Sequence, residues 1–249
     1  MARDTLTADR IIHAAVELLD DEGLDGLNMR SLAKRLGSAA TAVYWHIKTK
    51  DDLVRLASDA IWHEVELPDL DATDWRTAAI AHASGMHAML TRHPWLVQAF
   101  GSHFLYGPGQ ARHNDLSLSI YEKAGFTAAD ADRAAATVLT FVLGSALGPA
   151  AQVSLNRRLS KDGADAERLM ADAMTHAQET AMRFPRLRER LGTTAATEYA
   201  AAPDDTFTFG LQSVLDGFQS ILDGFEARRT ADRPVAASEG HGPHAVDIS

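Results

Sequence analysis

Apolar residues recur along this chain at intervals of three and four, so the pattern predicts helix almost from end to end. Ile11, Ile12, Ala15, Leu18 and Leu19 line one face of a first helix that Thr7 caps and Gly23 ends. A second, short helix is expected from Asn28 to Leu36, with Met29, Leu32, Ala33 and Leu36 on one face and Gly37 as its stop. A third begins near Ser38 and runs to about His46. Thr49, with Asp52 three positions on, forms a capping-box pattern for a fourth that reaches about Glu66, and Asp51 and Asp52 suit the positive end of its dipole. Residues 67–74 read as a linker and 104–112 as a loop. Further helical patterns fall near 75–92, 95–105, 112–124, 128–158, 165–184 and 205–226, with Thr127 and Asp130 as another capping box. Pro149 is expected to end or kink the longest of them just after Gly148. The stretch 192–204 is ambiguous, and 228–249 lacks periodic apolar positions and reads as a disordered tail. The fold class is all-α. A three-helix head (1–50) is joined to a larger helical body (51–227) and the tail (228–249).

The final helix carries the clearest period. Phe207, Leu211, Val214, Phe218, Ile221 and Phe225 are spaced 4, 3, 4, 3, 4, a heptad seam over nearly three repeats. Gly210, Gly217 and Gly224 recur every seven residues beside it. Each glycine inside a helix costs about 1 kcal/mol relative to alanine, so the stripe points to a helix backbone in close approach. Gly144 and Gly148 offer a similar flat patch on the long preceding helix. Two readings fit this pattern, a core helix within one chain and a contribution to a four-helix homodimer interface.

Composition changes the picture little and charge changes it more. There is no cysteine among the 249 residues, which excludes disulfides and thiolate metal sites. The N-terminus has no apolar signal region, and no uninterrupted apolar run approaches about 18 residues. The expectation is a cytoplasmic protein without a membrane partner. The formal net charge of −10 argues against nucleic acid on average. Yet the segment 28–50 contains Arg30, Lys34, Arg35, Lys48 and Lys50 and no Asp or Glu, so it carries +5 and the remainder −15 (−10 less +5).

Two short helices joined by a glycine turn are the unit that places a second helix in the major groove of double-stranded DNA. Ala33 is small where the two helices cross, Gly37 reverses the chain, and Val43 anchors the second helix. The run Tyr44-Trp45-His46-Ile47-Lys48-Thr49-Lys50-Asp51-Asp52-Leu53 resembles the segment after the recognition helix in the TetR family of bacterial regulators. Leu32 to Gly37 is similar to that family's first motif helix and turn, and Ile11 to Leu24 to its first helix. More weakly, Trp75 onward, Gly144 to Gly148 and Phe207 to Leu211 resemble its tetracycline-repressor subgroup. The resemblance implies a repressor that leaves a near-palindromic operator when a small-molecule effector binds the body.

On that resemblance Arg30 is a base- or phosphate-contacting residue. Tyr44, Trp45 and His46 face the DNA backbone, and Lys48 and Lys50 contact phosphates, which position the protein but specify little. Ser38 opens the recognition helix, and Thr41 is its best polar candidate for a base edge or a thymine methyl. Ala39, Ala40 and Ala42 depart from the subgroup, where longer polar side chains could read bases, so its operator is not carried over. In the body, His63, His82, Met86, His87, Phe100, His103 and Phe104 lie on helices or bends around a conceivable effector cavity, to which Thr137 and Phe141 add from the long helix. For each histidine alone, a surface or satisfied core role is the stronger reading. His241 and His244 in the tail suggest a metal only weakly, and no cofactor is expected.

Enzyme motifs fail locally. His63-Glu64-Val65-Glu66-Leu67 begins like a zinc-protease motif but lacks the second histidine. Gly144-Ser145-Ala146-Leu147-Gly148 has its serine in the wrong place for a nucleophile elbow. There is no P-loop and no dinucleotide fingerprint. A helical scaffold would explain the seam but not the localised positive segment.

Overall fold

The computed structural model describes residues 6–162, 164–191, 193 and 203–231. The tail beyond 231, with His241 and His244, lies outside them, as does most of 192–204. Among the described residues there are helices and no strand: α1 (Ala8–Gly26), α2 (Met29–Arg35), α3 (Ala40–His46), α4 (Lys50–Ile61) with a 3-10 turn at Trp62–Glu64, α5 (Trp75–Arg92), α6 (Pro94–Phe100), α7 (Pro108–Ala124), α8 (Ala128–Asp162), α9 (Ala164–Ala181), α10 (Pro185–Leu191) and α11 (Pro203–Ala231).

Caps set most boundaries. Thr7 accepts from the amide of Arg10, and Asn28 from those of Arg30 and Ser31. Thr49 Oγ1 accepts from the amide of Asp52. Gly23 breaks the regular helix of α1 with φ 73° and ψ −175°, and one further turn carries the chain to Gly26. Other boundaries move. The fourth helix stops at Ile61 and tightens into the 3-10 turn, short of Glu66. The sixth ends at Phe100, not 105, and α7 opens at Pro108 inside the expected loop. That early start has a tertiary cause. Asp59 of α4 accepts from the amides of Gly109 and Gln110 at 2.8 and 3.3 Å, an N-cap supplied from another helix.

Pro149 neither ends α8 nor stops it, and the helix continues to Asp162. An interior proline costs about 3 kcal/mol. Here it sits on the exposed face while Ala146 and Ala150 on either side are buried, so packing offsets the lost bond. The last helix likewise runs on to Ala231, so the expected start of the tail at 228 falls inside it.

One continuous apolar core runs through head and body. In the head, Ile11, Leu18 and Leu19 of α1 meet Leu32 of α2, Val43 of α3 and Leu53 of α4. In the body, α8 lies against α5, α6 and α7, and α11 closes the layer through Phe207, Leu211, Leu215 and Leu222. The heptad seam is therefore largely spent inside the chain. Phe218 packs edge-on to Tyr121 and Phe126, and Phe225 to Phe126. At Gly210 a Cβ would lie 2.5 Å from the ring of Phe141, so this glycine admits the chain's own α8. Gly144, Gly148, Gly217 and Gly224 have nothing within 4 Å of that position and face outward.

By length and composition, residues Ala128–Ser160 of α8 are apolar enough to cross a membrane, although short polar interruptions hide this in the sequence. Only 28% of the apolar window is buried within this chain.

Candidate functional site

The head builds its outward surface from one turn. Leu36 caps the end of α2, Gly37 takes φ +61°, and the amide of Ser38 returns to the carbonyl of Ala33 at 2.9 Å while that of Gly37 bonds Lys34 O at 3.2 Å. This paired pattern is a Schellman stop, which needs a left-handed residue. It fixes the angle at which α3 leaves. Val43 and Ile47 then point inward and are fully enclosed.

What faces outward is the remainder of α3. Thr41, Tyr44, Trp45 and His46 are exposed, with Trp45 81% so, which leaves its ring no packing role in the head. Lys48 Nζ donates to Tyr44 O at 3.1 Å and lies 5.9 Å from the Trp45 ring centre, so charge and aromatic share one edge of the helix. Arg30 and Lys34 are exposed on α2. Three residues of the positive segment behave differently from what their side chains alone suggest. Ser38 Oγ is enclosed and has no hydrogen-bond partner. Lys50 Nζ donates to Leu24 O at 2.7 Å, holding α4 to the end of α1. Arg35 turns back onto α1, paired with Asp21 and 3.7 Å from Glu17, so its charge is partly neutralised within the head.

The head meets the body at Asp20. Its Oδ1 accepts from Trp95 Nε1 at 2.8 Å and lies 2.7 Å from His93 Nδ1, and its carbonyl accepts from Arg157 at 2.8 Å. The other His93 nitrogen lies 3.1 Å from Glu64 Oε1. Burial alone would lower the pKa of His93, but hydrogen bonds and charge from Asp20 and Glu64 outweigh it, and the net shift is upward.

In the body, the residues expected around an effector separate into several places. Met86 is buried and lines a cavity of about 270 Å³ between α5, α7 and α8, with Asn114, Ser117, Leu118, Asp132 and Leu139 also in its wall. His82 is fully enclosed behind that wall. Its Nε2 lies 3.0 Å from His113 Nδ1, its Nδ1 lies 3.4 Å from Ser117 Oγ, and burial followed by the neighbouring His113 pushes its pKa down to about 4. His63 opens on a different groove of about 590 Å³ between α1 and α4. His87 and Phe141 both stack on Phe207. Phe100 packs on the core. His103 bonds Ser102 Oγ at 2.9 Å and lies 3.6 Å from Asp51 at the start of α4. Phe104 is 84% exposed, and Thr137 is exposed with its hydroxyl turned to Arg133 O. Asn114, Ser117, Asp132 and His113 escaped the sequence reading. The four-residue spacing of His113 and Ser117 was the available signal, because it sets both on one face of α7. Among the described residues, no three His, Asp or Glu side chains converge as metal ligands.

A helix-turn-helix head on a helical body with an open pocket between its helices defines a DNA-binding transcription regulator. Two family matches agree: residues 11–57 match "Bacterial regulatory proteins, tetR family" and residues 67–222 match "Tetracyclin repressor-like, C-terminal domain". The chain belongs to the TetR family. A transcriptional regulator of Saccharopolyspora erythraea is 41% identical over 140 residues, an alignment that spans 56% of this chain and 59% of that relative. The transcriptional repressor DrrR1 of Streptomyces coeruleorubidus is 32% identical over 217 residues, covering 86% of this chain and 78% of the relative. In three dimensions, ActR of Streptomyces coelicolor in complex with actinorhodin matches with a TM-score of 0.66 and 26% identity, over 88% of this chain and 97% of that one.

Proposed function

We propose that the protein is a cytoplasmic repressor that binds a near-palindromic operator as a homodimer and is released by a small-molecule effector. The observation that carries this reading is the outward face of α3, where Thr41 and Trp45 stand exposed with Lys48 just beyond the helix, on a turn fixed by Gly37. Arg30, Thr41, Tyr44, Trp45, His46 and Lys48 form the DNA contact. Lys50 braces α4 from behind, and Ser38 is left out because its hydroxyl is enclosed. With Ala39, Ala40 and Ala42 in the reading helix, specificity rests on Arg30, Thr41, DNA shape and the spacing of two heads.

The DNA-binding unit is residues 1–50, and the effector-binding and dimerisation unit runs from 51 past the expected limit of 227 to the end of α11 at Ala231. α4 is shared in packing, since it lies against both α1 and α7. The homodimer reading is supported by the unburied apolar face of α8 and the outward side of α11. Gly144, Leu147 and Gly148 on the first, and Phe209, Gly217 and Ile221 on the second, are exposed in the single chain. Phe207, Leu211 and Phe218 serve the internal core. Effector release is supported by the body cavity, by the repressor names of the relatives and by the ligand held by ActR.

Selection of bound sequences from random duplex DNA, at stated salt, tests the function. Enrichment of a palindrome is expected. Recovery of no sequence above the random pool would overturn it.

A further inference from the structure

A backbone carbonyl fixes the polarity of a buried histidine pair. His113 Nε2 lies 2.8 Å from Trp62 O, and a carbonyl can only accept, so the proton sits on Nε2. His113 Nδ1 is then an acceptor, and its hydrogen-bond partner among the described residues is His82 Nε2 at 3.0 Å, which must therefore carry the proton. That leaves His82 Nδ1 as an acceptor, 3.4 Å from Ser117 Oγ, and the serine hydroxyl turns its hydrogen inward to it. The two rings lie edge to edge and nearly coplanar, with 5.3 Å between centroids and 6° between planes, as an in-plane N–H···N bond requires, and both are enclosed. The depressed pKa values of both rings agree with a neutral pair. Reversing the direction of donation at Ser117 would reverse both tautomers and set a lone pair of His113 against the lone pairs of Trp62 O.

Ser117 lines the α5–α7–α8 cavity. With its hydrogen turned to His82 Nδ1 across 3.4 Å, Ser117 presents lone pairs to the cavity. The Asp132 carboxylate in the same wall also accepts, Asn114 carries both an acceptor and a donor, and no Lys, Arg or His is among the lining residues. Met86, Leu118 and Leu139, with Ala135 and Ala136, supply the apolar remainder. We propose that this cavity selects a ligand presenting an N–H or O–H donor on an apolar ring system, and that the Trp62–His113–His82–Ser117 chain imposes that preference. The proposal rests on the effector reading above and deepens it. The chain also joins the cavity wall to the residue that ends α4, the helix leading from the head, so the group that selects the ligand is bonded through to the head's support.

The test uses indole, which has an N–H donor, against benzofuran, an isostere with an acceptor only, each titrated into the full-length protein. Binding is followed at the methyl groups of Met86, Leu118 and Leu139 by NMR. Indole is expected to bind at least fivefold more tightly. In Ser117→Ala the preference should fall to within twofold while benzofuran still binds. In His113→Phe, which frees His82 to change tautomer, the preference should shrink, and His113→Gln, which can both donate to Trp62 O and accept from His82, should restore it. Histidine 15N shifts of the unmodified protein add a reading that needs no variant: both His82 and His113 should be Nε2–H tautomers. An Nδ1–H tautomer at either residue, equal or tighter binding of benzofuran, or no cavity shift with either probe would overturn the proposal. Failure of the operator selection with an intact indole preference would instead overturn the regulatory reading alone.

Discussion

His93 Nδ1 lies 2.7 Å from Asp20 Oδ1, and this contact joins the elbow between α5 and α6 to the first helix of the DNA-binding head. The second nitrogen of the same ring faces Glu64 after α4. Only the imidazolium donates from both nitrogens, so the bridge is complete when His93 is charged. Head and body are thus tied by a titratable group as well as by packing.

That bridge gives a signed pH dependence. The folded-state pKa of His93 is raised, so its stabilisation is fully present below the unfolded value of about 6.5 and is lost as pH rises through the folded value. His82 acts in the opposite sense. Its folded pKa of about 4 means that its contribution is present above about pH 6.5 and is lost as pH falls toward 4. A shift of that size corresponds to about 3 kcal/mol. Urea titrations between pH 4 and 9 should show both limbs. His93→Gln should flatten the alkaline limb and cost about 1–3 kcal/mol at pH 6, and His82→Asn should flatten the acidic limb. An alkaline limb unchanged in His93→Gln would remove the bridge from the account.

Two glycines should fail for different reasons when replaced by alanine. Gly37 has φ +61° and open space around it, so Gly37→Ala carries only backbone strain, about 1–2 kcal/mol. At Gly109 a Cβ would lie 2.5 Å from the backbone oxygen of Asp59. Gly109→Ala must push α7 away from α4 and should cost more than Gly37→Ala in chemical denaturation, with loss of the Asp59 cap seen as faster amide exchange at Gln110.

Lys48 and Lys50, two positions apart, should separate in DNA binding. Lys48→Ala should weaken binding to all duplexes and lower the salt slope by about one. Lys50 holds Leu24 O, so Lys50→Ala should lower thermal stability and change the slope by less than half as much as Lys48→Ala. Equal slope changes in fluorescence titrations across salt would place both lysines on phosphates. Thr41→Ala, by contrast, should alter sequence preference more than general affinity.

The outward faces of α8 and α11 predict where association breaks. Leu147→Glu or Ile221→Glu sets a charge on a face that is exposed in the single chain, so the fold should survive while the dimer dissociates. Light scattering should give about half the mass of the unmodified protein at micromolar concentration. A monomeric unmodified protein at that concentration would defeat the dimer reading.

Much of the head was legible because its signals are local. Thr7, Asn28 and Thr49 bond amides two or three residues away, and Gly37 takes the left-handed conformation that its place in the turn requires. The destinations of long side chains were not legible. Arg35 and Lys50 read as part of one positive surface, yet each reaches across the head to α1, at a distance along the chain that no spacing rule encodes.

The body shows the same division at larger scale. Periodicity determined that the chain is helical, where the main helices fall, and that α11 has an apolar stripe. It could not say whether that stripe meets another chain or its own core, because a heptad seam is equally apolar in both settings. Only the tertiary structure decided that Phe207, Leu211 and Phe218 face inward, that Pro149 is carried within α8, and that His82 lies 3.0 Å from His113 behind a cavity wall. Such contacts depend on how whole helices cross. Crossing geometry comes from the packing of many side chains together, whereas a cap or a glycine turn is settled by a handful of neighbouring residues.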